Sequence, residues 1–84
     1  MFEIRLSSRA KKEFDKLKDK KIEEALKVLT SDPLPAKLYD VKKLKSLKDT
    51  FRIRIGKTRI VYTIIWKDKI ILVSRIGLRE SVYD

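Results

Sequence analysis

Residues 51–66 read FRIRIGKTRIVYTIIW, and this stretch decides the fold. Its first five residues alternate apolar side chains with arginines, which is the period-two pattern of a strand with one buried face. Gly56-Lys57 then supplies a tight turn, so a second strand over residues 59–66 is expected to pair with the first as a hairpin. The arginines of the first strand are Arg52 and Arg54, and both point away from its apolar face.

Parity assigns the side chains of the second strand to two faces as well. The even-numbered positions of 60–66 share the apolar face, so Trp66 is expected in the core and not in a position to stack on a base. Arg59 falls on the opposite face, across the hairpin from Arg52 and Arg54. The three arginines therefore converge on an open sheet face, where Arg59→Ala should change stability by no more than about 0.5 kcal/mol.

The flanking sequence predicts two more strands and two helices. Residues 2–6 and 70–76 are each expected to form a strand. Ser7-Ser8 can cap a helix. Two runs of apolar residues at helical spacing follow, and the apolar faces that they form differ in direction by roughly 100°. One straight helix cannot point both faces at a single core, so we expect a helical hairpin that is broken around residues 18–21 and ends before Pro33.

The predicted order is β-α-α-β-β-β, which belongs to the α+β class. A helical hairpin packs on one face of a largely antiparallel four-stranded sheet, and residues 36–48 form a basic, irregular connection. The 84 residues are enough for one domain, and residues 1–84 are expected to form it.

Charge is concentrated in the second half of the chain. The chain has 22 basic and 12 acidic residues, a net charge of +10, and residues 37–79 hold 13 of the basic but only 3 of the acidic ones. Such a field attracts nucleic acid, an acidic protein segment or an anionic membrane. A lysine-rich surface that serves only solubility would give the same charge.

Cys and His are both absent. Disulfides and Cys-based zinc sites are therefore excluded, and the usual general base is missing. We expect no metal and no cofactor. The N-terminus lacks the apolar core of a signal peptide, and no stretch is long enough to span a membrane. A cytoplasmic protein without membrane association is expected.

Three arginines on one face can hold phosphates, because the guanidinium fork matches two phosphate oxygens. Arg79 and Tyr83, just after the last strand, are placed to complete such a cleft. The alternative is that the arginines are ordinary solvated residues whose stems cover apolar surface. Tyr39 has two interpretations as well, as a platform for stacked bases or as a packing anchor.

Five segments, in order along the chain, resemble the RelE/ParE toxin superfamily. They comprise residues 8–14, 41–45, 51–56, 59–62 and 77–83. The resemblance implies a RelE-type toxin of a type II toxin–antitoxin pair. Such a toxin is a metal-independent endoribonuclease that enters the ribosomal A site and cleaves mRNA by attack of a ribose 2′-OH on the adjacent phosphate, which inhibits translation.

The resemblance also implies roles for individual residues. Arg52 and Arg54 correspond to two strand-borne basic residues, usually lysines, while Arg59 and Arg79 correspond to arginines and Tyr83 to a terminal tyrosine. A guanidinium stays charged near neutral pH, so the arginines can stabilise a phosphorane but cannot accept a proton. Tyr83 is then the best candidate for the base, if neighbouring arginines lower its pKa.

Two departures from the family pattern bear on activity. Leu78 stands where relatives often have His or Lys, and the spacing from Arg79 to Tyr83 is shorter than in the best-known members.

The expected RNA-binding side chains are Lys42, Lys43, Lys45, Lys48 and Lys57.

The implied partners are an acidic RelB-like antitoxin, forming a heterotetramer with the toxin, and the ribosome with its mRNA. Two other functions remain open at this point. One is a ParE-like gyrase inhibitor without nuclease activity, and the other is a non-catalytic RNA- or ribosome-binding module.

Overall fold

The elements of the fold follow the predicted order, with one additional strand. The computed structural model describes residues 1–78 of the chain. Its elements are β1 (Glu3–Leu6), α1 (Ser8–Leu17), α2 (Lys20–Ser31), β2 (Asp40–Lys43), β3 (Thr50–Ile55), β4 (Thr58–Ile65) and β5 (Ile70–Leu78). The α+β class and the helical hairpin are confirmed.

The described strands form a single sheet in the order β1-β5-β4-β3-β2. The three pairings among β2, β3, β4 and β5 are antiparallel, whereas β1 pairs with β5 in parallel. The prediction of four strands was wrong, because β2 was assigned to the irregular connection. Val41 is the only apolar residue of β2, so the strand shows no alternation. A short charged strand of this kind is typical of a sheet edge.

Local capping explains where the helical hairpin breaks. The Ser7 hydroxyl accepts a hydrogen bond from the Ala10 amide at 3.0 Å and so begins α1. Lys18 ends α1 in the left-handed conformation, with φ of 47°. The Asp19 carboxylate then accepts from the Lys21 amide at 2.9 Å and begins α2. The chain therefore turns within two residues, inside the predicted break at 18–21.

The core lies between the hairpin and one face of the sheet. Its buried residues are Ala10, Ile22, Ala25, Leu29, Ile53, Ile60, Tyr62, Ile64, Ile71, Val73 and Ile76. This confirms the apolar face assigned by parity to β3 and to most of β4. The prediction for Trp66 was wrong, since β4 ends at Ile65 and Trp66 lies 48% exposed beyond it.

Candidate functional site

The register of β3 and β4 brings three of the predicted site residues together. Arg54 lies directly opposite Arg59, and Arg52 lies opposite Val61 one position further along the same face. Directly opposed residues have Cβ atoms about 5 Å apart, and successive same-face residues of one strand lie about 7 Å apart. The three arginines therefore share the sheet face that is opposite the helices. We call this surface the arginine face.

The arginines differ sharply in exposure. Arg59 is only 3% exposed and Arg52 only 5%, whereas Arg54 is exposed. The expectation of a fully open face was therefore wrong for these two residues, and the exposure on which the expected small effect of Arg59→Ala depends is not found. Strand parity predicts the face of a side chain, but its burial depends on segments that pack over that face from elsewhere in the chain. A sheltered guanidinium interacts more strongly with an anion than an exposed one, because the local dielectric is lower.

Asp40 links two of the arginines, and sequence reasoning missed it. Its Oδ2 accepts hydrogen bonds from Nη2 of Arg54 at 2.7 Å, from Nε of Arg54 at 3.1 Å and from Nη1 of Arg52 at 3.4 Å. The hydrogen bonds from Arg54 first, and from Arg52 second, hold the pKa of Asp40 below its ordinary value. Edge strand β2 delivers this carboxylate by pairing Asp40 with Arg54. One signal in the sequence could have identified Asp40. It is the only acidic residue within residues 33–48, and it lies two positions before Lys42.

The predicted RNA-binding lysines are all exposed, but they do not share one surface. Lys42 pairs with Arg52 and therefore lies on the arginine face, while Lys43 pairs with Phe51 and lies on the other face. Lys57 occupies the β3–β4 turn, and one residue pair, Ile55–Thr58, separates this turn from the Arg54–Arg59 pair. The remaining two, Lys45 and Lys48, lie in the segment that connects β2 to β3.

A small apolar cluster covers the middle of the arginine face. Leu44 and Val61 are both buried there, separately from the main core. Leu44 continues the alternation of Asp40 and Lys42 beyond the end of β2, and its amide donates to the Thr50 carbonyl at 2.9 Å. The segment predicted to be irregular thus contributes a buried anchor.

The tyrosines with described positions are structural. Tyr62 is fully buried, its hydroxyl donates to the Pro33 carbonyl at 2.8 Å, and burial raises its pKa. Tyr39 packs against the core while partly buried, so the packing interpretation applies to it. Neither is placed to accept a proton on the arginine face. Arg79 and Tyr83, the other two predicted catalytic residues, lie outside the described residues.

Two further properties belong to residues 1–78. No group of three or more acidic side chains in this range is arranged to hold a metal ion. None of its helices combines the length and the apolar character that crossing a membrane requires.

Known proteins match this chain in sequence and in fold. A family model described as the ParE toxin of the type II toxin–antitoxin system parDE matches residues 4–83. A candidate toxin designated RelE1, from Methanocaldococcus jannaschii, is 39% identical over 64 residues, which are 76% of this chain and 71% of the relative.

Two solved structures superpose closely on the fold. The first is from the archaeal RelE–RelB complex of Pyrococcus horikoshii, with a TM-score of 0.81 and 26% identity, covering 96% of this chain and 98% of the other. The second is from the intact RelBE toxin–antitoxin complex of E. coli, with a TM-score of 0.78 and 20% identity. It covers 93% of this chain and 96% of the other, and at that identity it shows the fold alone.

Proposed function

The chain belongs to the RelE/ParE superfamily of type II toxins, and we propose that it is a RelE-type endoribonuclease that cleaves mRNA in the ribosomal A site. The observation that carries the proposal is the register that sets Arg54 opposite Arg59, with Arg52 beside them on the same face. Fixed guanidiniums at this spacing suit a phosphodiester that gains negative charge during reaction.

The proposed chemistry is an internal transfer at phosphorus. The ribose 2′-oxygen forms a bond to the adjacent phosphorus while the bond from phosphorus to the 5′-oxygen breaks, which leaves a 2′,3′-cyclic phosphate and a 5′-OH. The 2′-OH gives its proton to a base, and the departing 5′-oxygen takes up a proton. No metal or redox partner enters this balance.

The described arginines have different roles in the proposed reaction. Arg54 is exposed and is the guanidinium that a phosphate reaches first, while the buried Arg52 and Arg59 supply positive charge in a sheltered setting. None of them can act as base, because a guanidinium does not deprotonate in proteins. Tyr62 is also unsuitable, since burial raises its pKa. We therefore propose Tyr83 as the base and Arg79 as an additional phosphate ligand.

We propose that an acidic RelB-like antitoxin binds the toxin, in a heterotetramer, and keeps it from RNA. The net charge of +10 favours an acidic partner. The matched structures from Pyrococcus horikoshii and E. coli come from RelE–RelB and RelBE complexes. Co-expression with the neighbouring gene product tests this partner, and failure of that product to co-purify or to suppress cleavage would contradict it.

Cell-free translation with mapping of mRNA ends tests the nuclease function. The wild-type protein should produce cuts within codons only when ribosomes are present, and Arg54→Ala should lose them. Tyr83→Phe should lower the cleavage rate with little change in ribosome binding, because the ring is kept and only the proton-transfer group is lost. Lys12→Ala, an exposed change on α1, is the charge-matched control that should cleave normally.

A salt series tests whether the positive charge contacts phosphates. The logarithm of affinity for ribosomes should fall linearly with the logarithm of salt concentration, by about 0.7–0.9 for each phosphate neutralised. A flat response would mean that the basic surface serves solubility alone.

Inhibition of DNA gyrase is the second candidate function, because the matching family model is that of the ParE toxin. A supercoiling assay separates the two functions. Inhibited supercoiling together with intact mRNA would replace the nuclease proposal, and ribosome binding with neither effect would leave a non-catalytic binding module.

A further inference from the structure

A shallow surface depression lies at the end of β4 that is remote from the β3–β4 turn. This depression is open, with a volume of about 390 Å³, and its lining residues are Lys48, Asp49, Thr63, Ile64, Ile65, Trp66 and Lys67. We call it the Trp66 cleft. None of its aromatic or β4 residues enters the nuclease mechanism described above.

The indole of Trp66 is unusually open for so large an apolar side chain. It is 48% exposed, and Phe2 supports it through an edge-to-face contact, with ring centroids 5.8 Å apart and an interplanar angle of 81°. An aromatic ring held from one side and exposed on another is the arrangement on which bases of single-stranded nucleic acid stack.

The charges around the cleft favour a polyanion. Lys48 and Lys67 are both exposed and line the same surface as Trp66, where Asp49 is the single carboxylate among the lining residues. An exposed aromatic ring that shares a surface with two lysines matches a nucleotide, which presents a flat base and flanking phosphates.

Strand β4 connects the cleft to the arginine face. Arg59 and Thr63 lie opposite Arg54 and Thr50 on the same face, and the Thr50 and Thr63 hydroxyls are 2.8 Å apart. By alternation Ile65 continues this row, six residues from Arg59, a distance of about 20 Å. The row thus spans several nucleotides of an extended strand, passing the Leu44–Val61 cluster on the way.

We propose that the Trp66 cleft is a binding site for single-stranded RNA, in which one base stacks on Trp66 while Lys48 and Lys67 contact its flanking phosphates. The proposal deepens the proposed nuclease function, since the strand whose phosphate lies at the arginines would continue into the cleft. A protein segment with acidic and apolar side chains is the competing occupant, which the experiment below tests.

Trp66 is the only tryptophan in the chain, so its fluorescence reports directly on the cleft. Titration of the free protein with a short unstructured RNA should quench this fluorescence in parallel with the rise in anisotropy of the labelled RNA. Trp66→Ala should weaken RNA binding about 10-fold or more, the scale for loss of one stacked base, and Trp66→Phe should retain most of the affinity. Circular dichroism of both variants checks that loss of the Phe2 contact has not unfolded the domain.

Matched lysine variants separate phosphate contacts from general charge. Lys48→Ala and Lys67→Ala should each reduce the salt slope of RNA binding by about 0.7, and Lys12→Ala on α1 should leave the slope nearly unchanged. An equal effect of all three substitutions would contradict a localised site.

Several results would overturn the proposal. They are RNA binding without quenching, absence of RNA binding, unchanged affinity in Trp66→Ala, or quenching by an acidic peptide and not by RNA. The outcome is independent of cleavage. If RNA quenches Trp66 fluorescence in a wild-type protein that cuts no mRNA, the nuclease function is refuted and the Trp66 cleft is supported. If the protein makes ribosome-dependent cuts but RNA does not quench its fluorescence, the nuclease function is supported and the Trp66 cleft is refuted.

Discussion

The carboxylate of Asp40 holds the guanidinium of Arg54 through two hydrogen bonds to a single oxygen. Its Oδ2 lies 2.7 Å from Nη2 and 3.1 Å from Nε of Arg54. The negative charge of Asp40 weakens the attraction of Arg54 for a phosphate. The same contact favours phosphate binding in another way, because it restricts the otherwise flexible, exposed side chain of Arg54. Binding and reaction should therefore respond to its loss in opposite directions.

Asp40→Asn is expected to strengthen RNA binding and to slow cleavage at saturating substrate. Removing the negative charge makes the face more positive, whereas losing the charge-assisted hydrogen bonds releases Arg54 from its position. Anisotropy with labelled RNA measures the first effect, and single-turnover cleavage on ribosomes measures the second. A simultaneous rise of both would mean that Asp40 only masks charge.

The pKa of Asp40 also gives a pH expectation. Because it is lowered in the folded protein, Asp40 stays ionised across the neutral range. Its contribution to stability is present above the ordinary carboxyl pKa and is lost as pH falls through the lowered value. The pH profile of cleavage between pH 6 and about 8 should therefore be the same in shape for wild type and Asp40→Asn.

Arg59→Ala and Arg54→Ala should differ in stability. Because Arg59 is buried, Arg59→Ala should lower the free energy of unfolding by about 1–3 kcal/mol, as loss of a buried polar group does. Because Arg54 is exposed, Arg54→Ala should lower it by at most about 1 kcal/mol. Urea unfolding measures both. Cleavage per folded molecule should still fall about 10²-fold or more in Arg59→Ala if this residue stabilises the phosphorane. Equal stability losses in the two variants would show that burial of Arg59 contributes nothing.

Tyr62 should remain protonated above pH 10.0, the ordinary pKa of a tyrosine. Burial raises the pKa of Tyr62 above its ordinary value of 10.0, so its contribution to stability is complete below that value and is lost as pH rises towards the raised pKa. Alkaline titration followed by ultraviolet absorbance should show delayed ionisation of one tyrosine, coincident with unfolding. Tyr62→Phe should remove that phase and cost about 1 kcal/mol for the lost hydrogen bond to Pro33.

Glu13 should matter more for stability than its neighbour Asp15. Its Oε1 accepts from the Ile76 amide at 2.7 Å, and its carboxylate pairs with Arg75 at 3.2 Å, so it ties α1 to β5 in a half-buried setting. Glu13→Ala should cost about 1–3 kcal/mol. Asp15→Ala, which removes an exposed pair with Lys11, should cost no more than about 0.5 kcal/mol. Similar losses in thermal unfolding would contradict the assigned role of Glu13.

Features that depend on neighbouring residues were predicted correctly from the sequence, whereas features that depend on contacts between distant residues were not. The alternation around Arg52 and Arg54 is local, so the sheet face of these residues was predicted correctly. The burial of Arg59 and Leu44 depends on packing between distant segments, which no local period encodes. Asp40 was missed for the same reason, since its partner Arg54 is 14 residues away across a strand pairing.

Trp66 shows how sensitive parity is to the end of a strand. The core prediction requires β4 to continue through Trp66, whereas the strand ends at Ile65 and the chain enters a turn. A difference of one residue therefore converts an expected core aromatic into an exposed one. The prediction of the catalytic roles of Arg79 and Tyr83 stays a prediction.

The parallel pairing of β1 with β5 has a consequence for biosynthesis. Glu3 lies opposite Ile70 and Leu6 opposite Val73, so an early strand of the chain takes a late strand as its neighbour. Translation proceeds from the N-terminus, and contacts between such distant segments form only after both have been made. A nascent chain that stops before Ile70 leaves residues 3–6 without their place in the sheet. Completion of this sheet therefore requires that residues 70–73 have been made and have left the ribosome.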